Sequence, residues 1–238
     1  MATPEESTAA LAILIDADNA NAAIVKGLID EVAKFGRATV RRIYGDWTTP
    51  NLAKWKESLL EHSIQPMQQF AYTKGKNATD STMIIDAMDL LYAGNLDGFC
   101  IVSSDSDFTR LASRLKESGK RVYGFGEKKT PRPFVAACDR FIYTEVFTRV
   151  AGEMPQRKAA AELDRDRDFI DLVGGVIDDA SDDNGWANLG AVGSILTKKQ
   201  PDFDSRNYGY GKLSDLLDAS KHFEVKKSEK AVVVRRAK

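Results

Sequence analysis

Residues 11–148 alternate compact apolar runs with stretches of helical spacing. Leu11–Ile15 is apolar throughout and reads as a strand. In Ala22–Phe35 the apolar residues Ile24, Leu28, Ile29 and Val32 recur at helical intervals. Thr39–Tyr44 reads as a second strand, Asn51–Glu61 as a helix behind Pro50, and Ile64–Ala71 as a third extended run. Thr82–Tyr92 places Met83, Ile84, Ala87, Leu90 and Leu91 on one helical face. Phe99–Val102 is continuously apolar, as a strand covered on both faces must be. Phe108–Ser118 is a helix closed by Gly119, followed by strands at Val122–Phe125 and Phe141–Tyr143. Repeated strand-helix-strand units predict an α/β domain whose parallel sheet is covered by helices on both faces.

The pattern breaks at Ala151–Arg167, which holds Pro155, the pair Arg157-Lys158, an alanine run and alternating Asp and Arg. Beyond it, Phe169–Ile177, Leu189–Leu196 and Lys212–Leu217 read as helices. Phe223–Val225 and Ala231–Arg235 flank a polar turn as a strand pair. Three helices and a hairpin in so short a segment predict a smaller winged-helix domain. The expected organisation is a first domain over 8–150, a linker over 151–163 and a second domain over 164–238.

Composition narrows the picture only a little. The net charge is −1, so any nucleic-acid argument must come from local charge. Two cysteines, Cys100 and Cys138, and two distant histidines, His62 and His222, offer no zinc cluster. They suit buried thiols in a reducing compartment. The polar, acidic start is unlike a signal peptide, and no apolar run approaches a membrane span. A cytoplasmic protein without membrane contact is expected.

The carboxylates carry the chemistry. Asp16 and Asp18 follow the first strand, Asp105 and Asp107 follow the fourth, and Asp80 opens the helix between. Ligands of an open parallel sheet bind outside the carboxyl ends of its strands, where neighbouring first and fourth strands would bring Asp16 and Asp105. Clustered carboxylates share protons or bind a hard cation, and oxygen-only donors select Mg²⁺ or Mn²⁺. Any single Asp here could be a helix cap or a turn residue. Caps do not need two acids at each of two strand ends, so the set points to a metal. Asp89 lies opposite the apolar stripe of its helix, and Asp86 lies on the flank at the edge of the expected site.

Leu14-Ile15-Asp16-Ala17-Asp18-Asn19, Lys74-Gly75-Lys76-Asn77-Ala78-Thr79-Asp80 with Asp86 beyond, and Ser103-Ser104-Asp105-Ser106-Asp107-Phe108 together resemble the bacterial NYN domain, a branch of the PIN-like nucleases. The resemblance runs over about residues 10–148. It implies a Rossmann-like sheet carrying a Mg²⁺ or Mn²⁺ site that cleaves RNA phosphodiesters, endonucleolytically or otherwise. The matching catalytic and metal positions are Asp16, Asp80, Asp105 and Asp107, with Asp86 as a further ligand and Asn19 orienting ligand or water. The family's common glycine in the third segment is Ser104 here. Residues 164–238 resemble an OST-HTH or LOTUS domain through Trp186-Ala187-Asn188-Leu189-Gly190 and Tyr208-Gly209-Tyr210-Gly211-Lys212-Leu213-Ser214-Asp215-Leu216-Leu217. That implies RNA as partner, or a docked protein; a homodimer stays open.

An RNA substrate needs cations outside the metal site. Lys74 and Lys76 precede Asp80, and Arg41, Arg42, Lys128, Lys129 and Arg132 are further candidates at strand ends or loops. Trp47 and Tyr72 at the same rim are candidates for base stacking. From Lys221 to Lys238 seven Lys/Arg face two Glu, so the second domain ends on a basic wing that includes Lys226 and Lys227. Tyr208, Tyr210 and Lys212 are candidate RNA contacts beside it. Two other functions fit part of the pattern. A non-catalytic RNA-binding protein would keep the fold without turnover. A phosphatase of the haloacid dehalogenase type would use Asp16 as nucleophile, but has no use for Asp80.

Overall fold

The structure is a computed structural model that describes residues 8–70, 78–147, 157–228 and 231–237. Lys74, Lys76 and Tyr72 lie outside the described residues. The chain divides into two compact units, Met1–Thr148 and Arg149–Lys238.

In the first unit six strands form one sheet: β1 (Ala10–Asp16), β2 (Arg37–Gly45), β3 (Gln65–Gln68), β4 (Gly98–Val102), β5 (Arg121–Gly126) and β6 (Arg140–Tyr143). The order is β3-β2-β1-β4-β5-β6, with every pairing parallel. The connections carry helices α1 (Val25–Val32), α2 (Trp55–Glu61), α3 (Ala78–Ala93), α4 (Thr109–Glu117) and α5 (Arg132–Ala137). Chain direction switches sides between β1 and β4, which opens a crevice at their carboxyl ends.

The two-residue period of β1 distributes the core. Leu11, Ile13 and Ile15 face α1 and α2, packed with Leu28, Val32 and Trp55. Ala12 and Leu14 face the other way, onto Met83, Ala87, Phe108 and Leu111. Each fully buried aliphatic side chain contributes about 1.5–3 kcal/mol. All five residues of β4 are buried, which explains its unbroken apolar run. Gly119 closes the helical segment with φ of +75°.

Three boundaries differ from the sequence reading. α3 begins at Ala78, four residues before the expected start at Thr82, because its first turn contributes carboxylate rather than hydrocarbon. β3 is only Gln65–Gln68, an edge strand with no buried residue. Six-residue α5 was not anticipated; it starts behind Pro131 and is too short to show a period.

In the second unit, α6 (Ala160–Leu163), α7 (Arg167–Ala180), α8 (Leu189–Lys199) and α9 (Leu213–Asp218) pack with strands β7 (Ala187–Asn188), β8 (Phe223–Lys227) and β9 (Val232–Arg236). The strands form an antiparallel sheet in the order β7-β9-β8, so helices and hairpin make a winged-helix fold. Asp166 caps α7 at the Phe169 amide, and Asn188 caps α8 at the amides of Gly190 and Ala191. Phe169, Val173, Ile177, Val192, Leu196, Leu216 and Val234 form the core. Leu163 joins it, fully buried.

Candidate active site

Strand period and register assemble the acidic site. Ala12, Leu14 and Asp16 share one face of β1, as Phe99, Ile101 and Ser103 share one face of β4 and its extension. Ile15 pairs with Val102, so Asp16 and Ser103 emerge side by side beneath α3. Ser103 Oγ donates to Asp16 Oδ2 at 2.8 Å, and Asn19 Nδ2 donates to the same oxygen at 2.8 Å. The amides of Asp18 and Asn19 donate to Asp16 Oδ1 at 3.0 and 3.3 Å. All four accepting positions of this buried carboxylate are therefore filled. Burial still pushes its pKa up, against the hydrogen bonds from Ser103, Asn19 and Asp18.

Asp80 precedes Met83 by three residues and Ala87 by seven. It therefore extends the buried stripe of α3 by one turn, out to the strand ends. Only 8% of it is exposed. Burial, then the charges of Asp16, Asp105, Asp107 and Asp18, push its pKa up to about 6. Asp105 and Asp107 come from the turn after β4. Asp105 caps the short 3-10 helix Ser106–Phe108, accepting from the Asp107 amide through Oδ1 at 2.9 Å. The cap uses Oδ1 and leaves Oδ2 outside it. One carboxylate oxygen from each of Asp80, Asp105 and Asp107 lies within 4.8 Å of the others. Opposite ligands of a Mg²⁺ ion stand about 4.2 Å apart, so the oxygen-only trio fits a hard divalent cation with slight contraction. Asp16 is not one of the three; for it to join them, one of its four hydrogen bonds must break.

Asp86 is placed elsewhere. Its carboxylate accepts from Arg42 at 2.5 Å and from the Tyr44 hydroxyl, tying α3 to β2. Burial and Asp86 push the Tyr44 pKa up. Among the other basic candidates of this unit, Arg41 donates to the His62 carbonyl at 2.7 Å and Lys129 pairs with Glu127 at 2.8 Å. Trp47 packs against the core, and its indole nitrogen donates to the Met67 carbonyl at 3.1 Å. Cys100 and Cys138 are free and buried; burial raises both thiol pKa values, that of Cys138 to about 12.

A cleft of about 310 Å³ adjoins the acidic site at the carboxyl ends of β1, β4, β5 and β6. Sequence reading missed it, because its walls come from segments scattered between Asn19 and Glu145.

In the second unit the two tyrosines face inward. Tyr210 is buried, its hydroxyl donating to the Lys158 carbonyl at 2.9 Å, and Tyr208 packs on Phe169 and Phe203. Lys212 is exposed at the start of α9, and Lys226 is exposed on β8. Lys227 reaches Asp215 at 3.3 Å. Arg235 pairs with Glu224, Arg236 with Asp178 and Lys221 with Asp164, so much of the basic tail is neutralised within its own unit. No helix among the described residues is long and apolar enough to cross a membrane.

The OST-HTH/LOTUS domain model matches residues 167–234. Two solved structures are similar. A protein of unknown function from Vibrio parahaemolyticus is 18% identical, covering 59% of this chain and 94% of its own, with a TM-score of 0.47. An uncharacterized protein from Nitrosomonas europaea is 40% identical, covering 38% of this chain and 85% of its own, with a TM-score of 0.29. No curated protein matches the chain. The NYN domain model matches residues 10–145, over half of the chain and the whole acidic site, and the protein belongs to that family, with an OST-HTH/LOTUS domain behind it.

Proposed function

We propose that the protein is a metal-dependent ribonuclease that hydrolyses RNA phosphodiester bonds, its C-terminal unit holding the RNA. The observation that carries this reading is the convergence of the Asp80, Asp105 and Asp107 carboxylates at the β1–β4 switch point. These three hold Mg²⁺ or Mn²⁺. A bound cation supplies charge stabilisation for the phosphoryl group and makes water a stronger nucleophile. Asp16 adds negative charge behind the trio and holds Asn19 and Ser103 in fixed orientations. RNA phosphates meet the exposed Lys212 and Lys226 on the second unit. Buried free thiols suit the cytoplasm.

The test is cleavage of a mixed-sequence single-stranded RNA by the intact protein with Mg²⁺, Mn²⁺ or EDTA, beside Asp105→Asn. Metal-dependent cleavage is expected, falling at least a hundredfold in the variant while its circular dichroism stays unchanged. Equal cleavage by a folded variant would sink the proposed site.

A further inference from the structure

α3 buries one face against the sheet, and its opposite face is not polar. Four large apolar or aromatic side chains are exposed among the described residues: Leu60, Phe70, Ile85 and Tyr92. Ile85 and Tyr92 both stand on α3, seven residues apart and so on one face, and are 63% and 74% exposed. Met88 lies between them, half-buried. A lone exposed apolar side chain is ordinary, but a run along one helix face marks an interaction surface.

The border of this patch carries both signs of charge. Asp89 is exposed, four residues after Ile85 and three before Tyr92. Its carboxylate has no hydrogen bond or ion pair among the described residues. Arg114 reaches the patch from α4, where its Nη2 donates to the Tyr92 hydroxyl at 3.5 Å. Its pairing with Glu117 is 3.9 Å long between exposed groups, which contributes little and leaves the guanidinium open to a second carboxylate. Exposed Arg110 and Arg114 on α4 are matched by exposed Asp89 and Glu117. The face therefore has no excess of positive charge with which to hold RNA or an anionic membrane. An apolar centre flanked by one acid and one base is instead self-complementary. Turned about a two-fold axis, the acid of each copy meets the base of the other. Tyrosine and arginine are also enriched in interfaces between proteins.

We propose that this face of α3 and α4 is a homodimer interface. Ile85, Met88 and Tyr92 pack against a second copy of the chain, and Asp89 of each copy pairs with Arg114 of the other. The proposal does not depend on the ribonuclease reading. Its consequence for the acidic site is mechanical. α3 carries Asp80 in its first turn, so the second copy braces the helix that positions this carboxylate.

The test is sedimentation velocity of the intact, metal-free protein over a range of concentrations. The wild type should form a dimer with a Kd in about the micromolar range. Asp89→Arg and Arg114→Asp each create two like-charge contacts across the axis, and each should weaken the dimer at least about tenfold. Mixed in equal amounts, the two variants should associate again, because the two basic residues of one chain then face the two acidic residues of the other. That recovery also shows that both variants are folded. Tyr92→Ser tests the apolar centre separately, with an expected weakening of about tenfold. A wild type that stays monomeric at every concentration overturns the proposal and leaves the patch to a different protein. A dimer that survives both charge reversals, or is indifferent to Tyr92→Ser, places the contact elsewhere and overturns it too. So does a mixture of the two charge variants that stays monomeric while each keeps the wild-type circular dichroism.

Discussion

Asp80 carries an electrostatic cost that can be measured. Its pKa rises from 3.8 to about 6 on folding, so the fold favours its protonated form. The metal-free protein is therefore most stable below about pH 4 as far as this group is concerned, and loses that contribution as pH rises through 6. After allowance for solvent screening at the crevice rim, the loss is on the order of 1 kcal/mol. Asp80→Asn removes it. The metal-free variant should melt about 2–4 °C higher than wild type near pH 8. The same substitution removes a ligand, so the rise in melting temperature that Mn²⁺ gives the wild type should disappear. In the wild type, that rise should shrink as pH falls below 6, where protons compete with the cation. A metal response that persists in Asp80→Asn would exclude Asp80 from the centre. Asp16, Asp105 and Asp107 were legible as a strand-end set from sequence. The filling of all four accepting positions on Asp16 was not, since Ser103 comes from a different strand.

At the scale of elements, α3 is the strut that sets the site. Its inner stripe buries Met83 and Ala87 against the sheet and carries Asp80 to the crevice. Its flank is anchored to β2 through Asp86, Arg42 and Tyr44. Asp86→Ala leaves Arg42 and Tyr44 without this partner and should cost about 1–3 kcal/mol in chemical denaturation. The Mn²⁺-dependent rise in melting temperature should survive it. Loss of that rise would return Asp86 to the metal set that the family resemblance implied. The stripe was readable from helical spacing. The flank pairing was not, because β2 lies over forty residues away in sequence and its register alone turns Arg42 and Tyr44 toward α3. The same argument covers the cleft, where Gly126 must lack a side chain: a Cβ there would stand 2.5 Å from the Ser103 carbonyl.

Across the whole molecule, a nuclease-type unit is joined to a winged helix whose basic tail is mostly paired internally. The excess of five positive charges counted in sequence therefore overstates what RNA can meet. Lys226 and Lys227 should still act together on phosphates. Lys226→Ala with Lys227→Ala should weaken binding of single-stranded RNA to the intact chain about equally for all sequences. It should also lower the slope of log affinity against log salt by about 1.4. An unchanged slope, measured by fluorescence anisotropy, would move the RNA contact away from β8. Of the two tyrosines read from sequence as candidate contacts, Tyr210 is buried inside the unit and Tyr208 is partly buried, packed against the core on Phe169 and Phe203.

Sequence by itself determined the alternation of strands and helices, the helical face of α3 and the placing of acids just beyond β1 and β4. Periodicity and local order are properties of neighbouring residues, so they survive in one dimension. Only the tertiary structure decided which carboxylates meet. Pairing β1 with β4 puts Asp16 against Ser103, while the seating of α3 brings Asp80 to Asp105 and Asp107. It also decided that Asp86 pairs with Arg42 and that Glu145 closes a cleft with Asn19. Electrostatic role depends on distance and desolvation. Both arise when segments far apart in the chain are packed together, and neither is written in the order of residues.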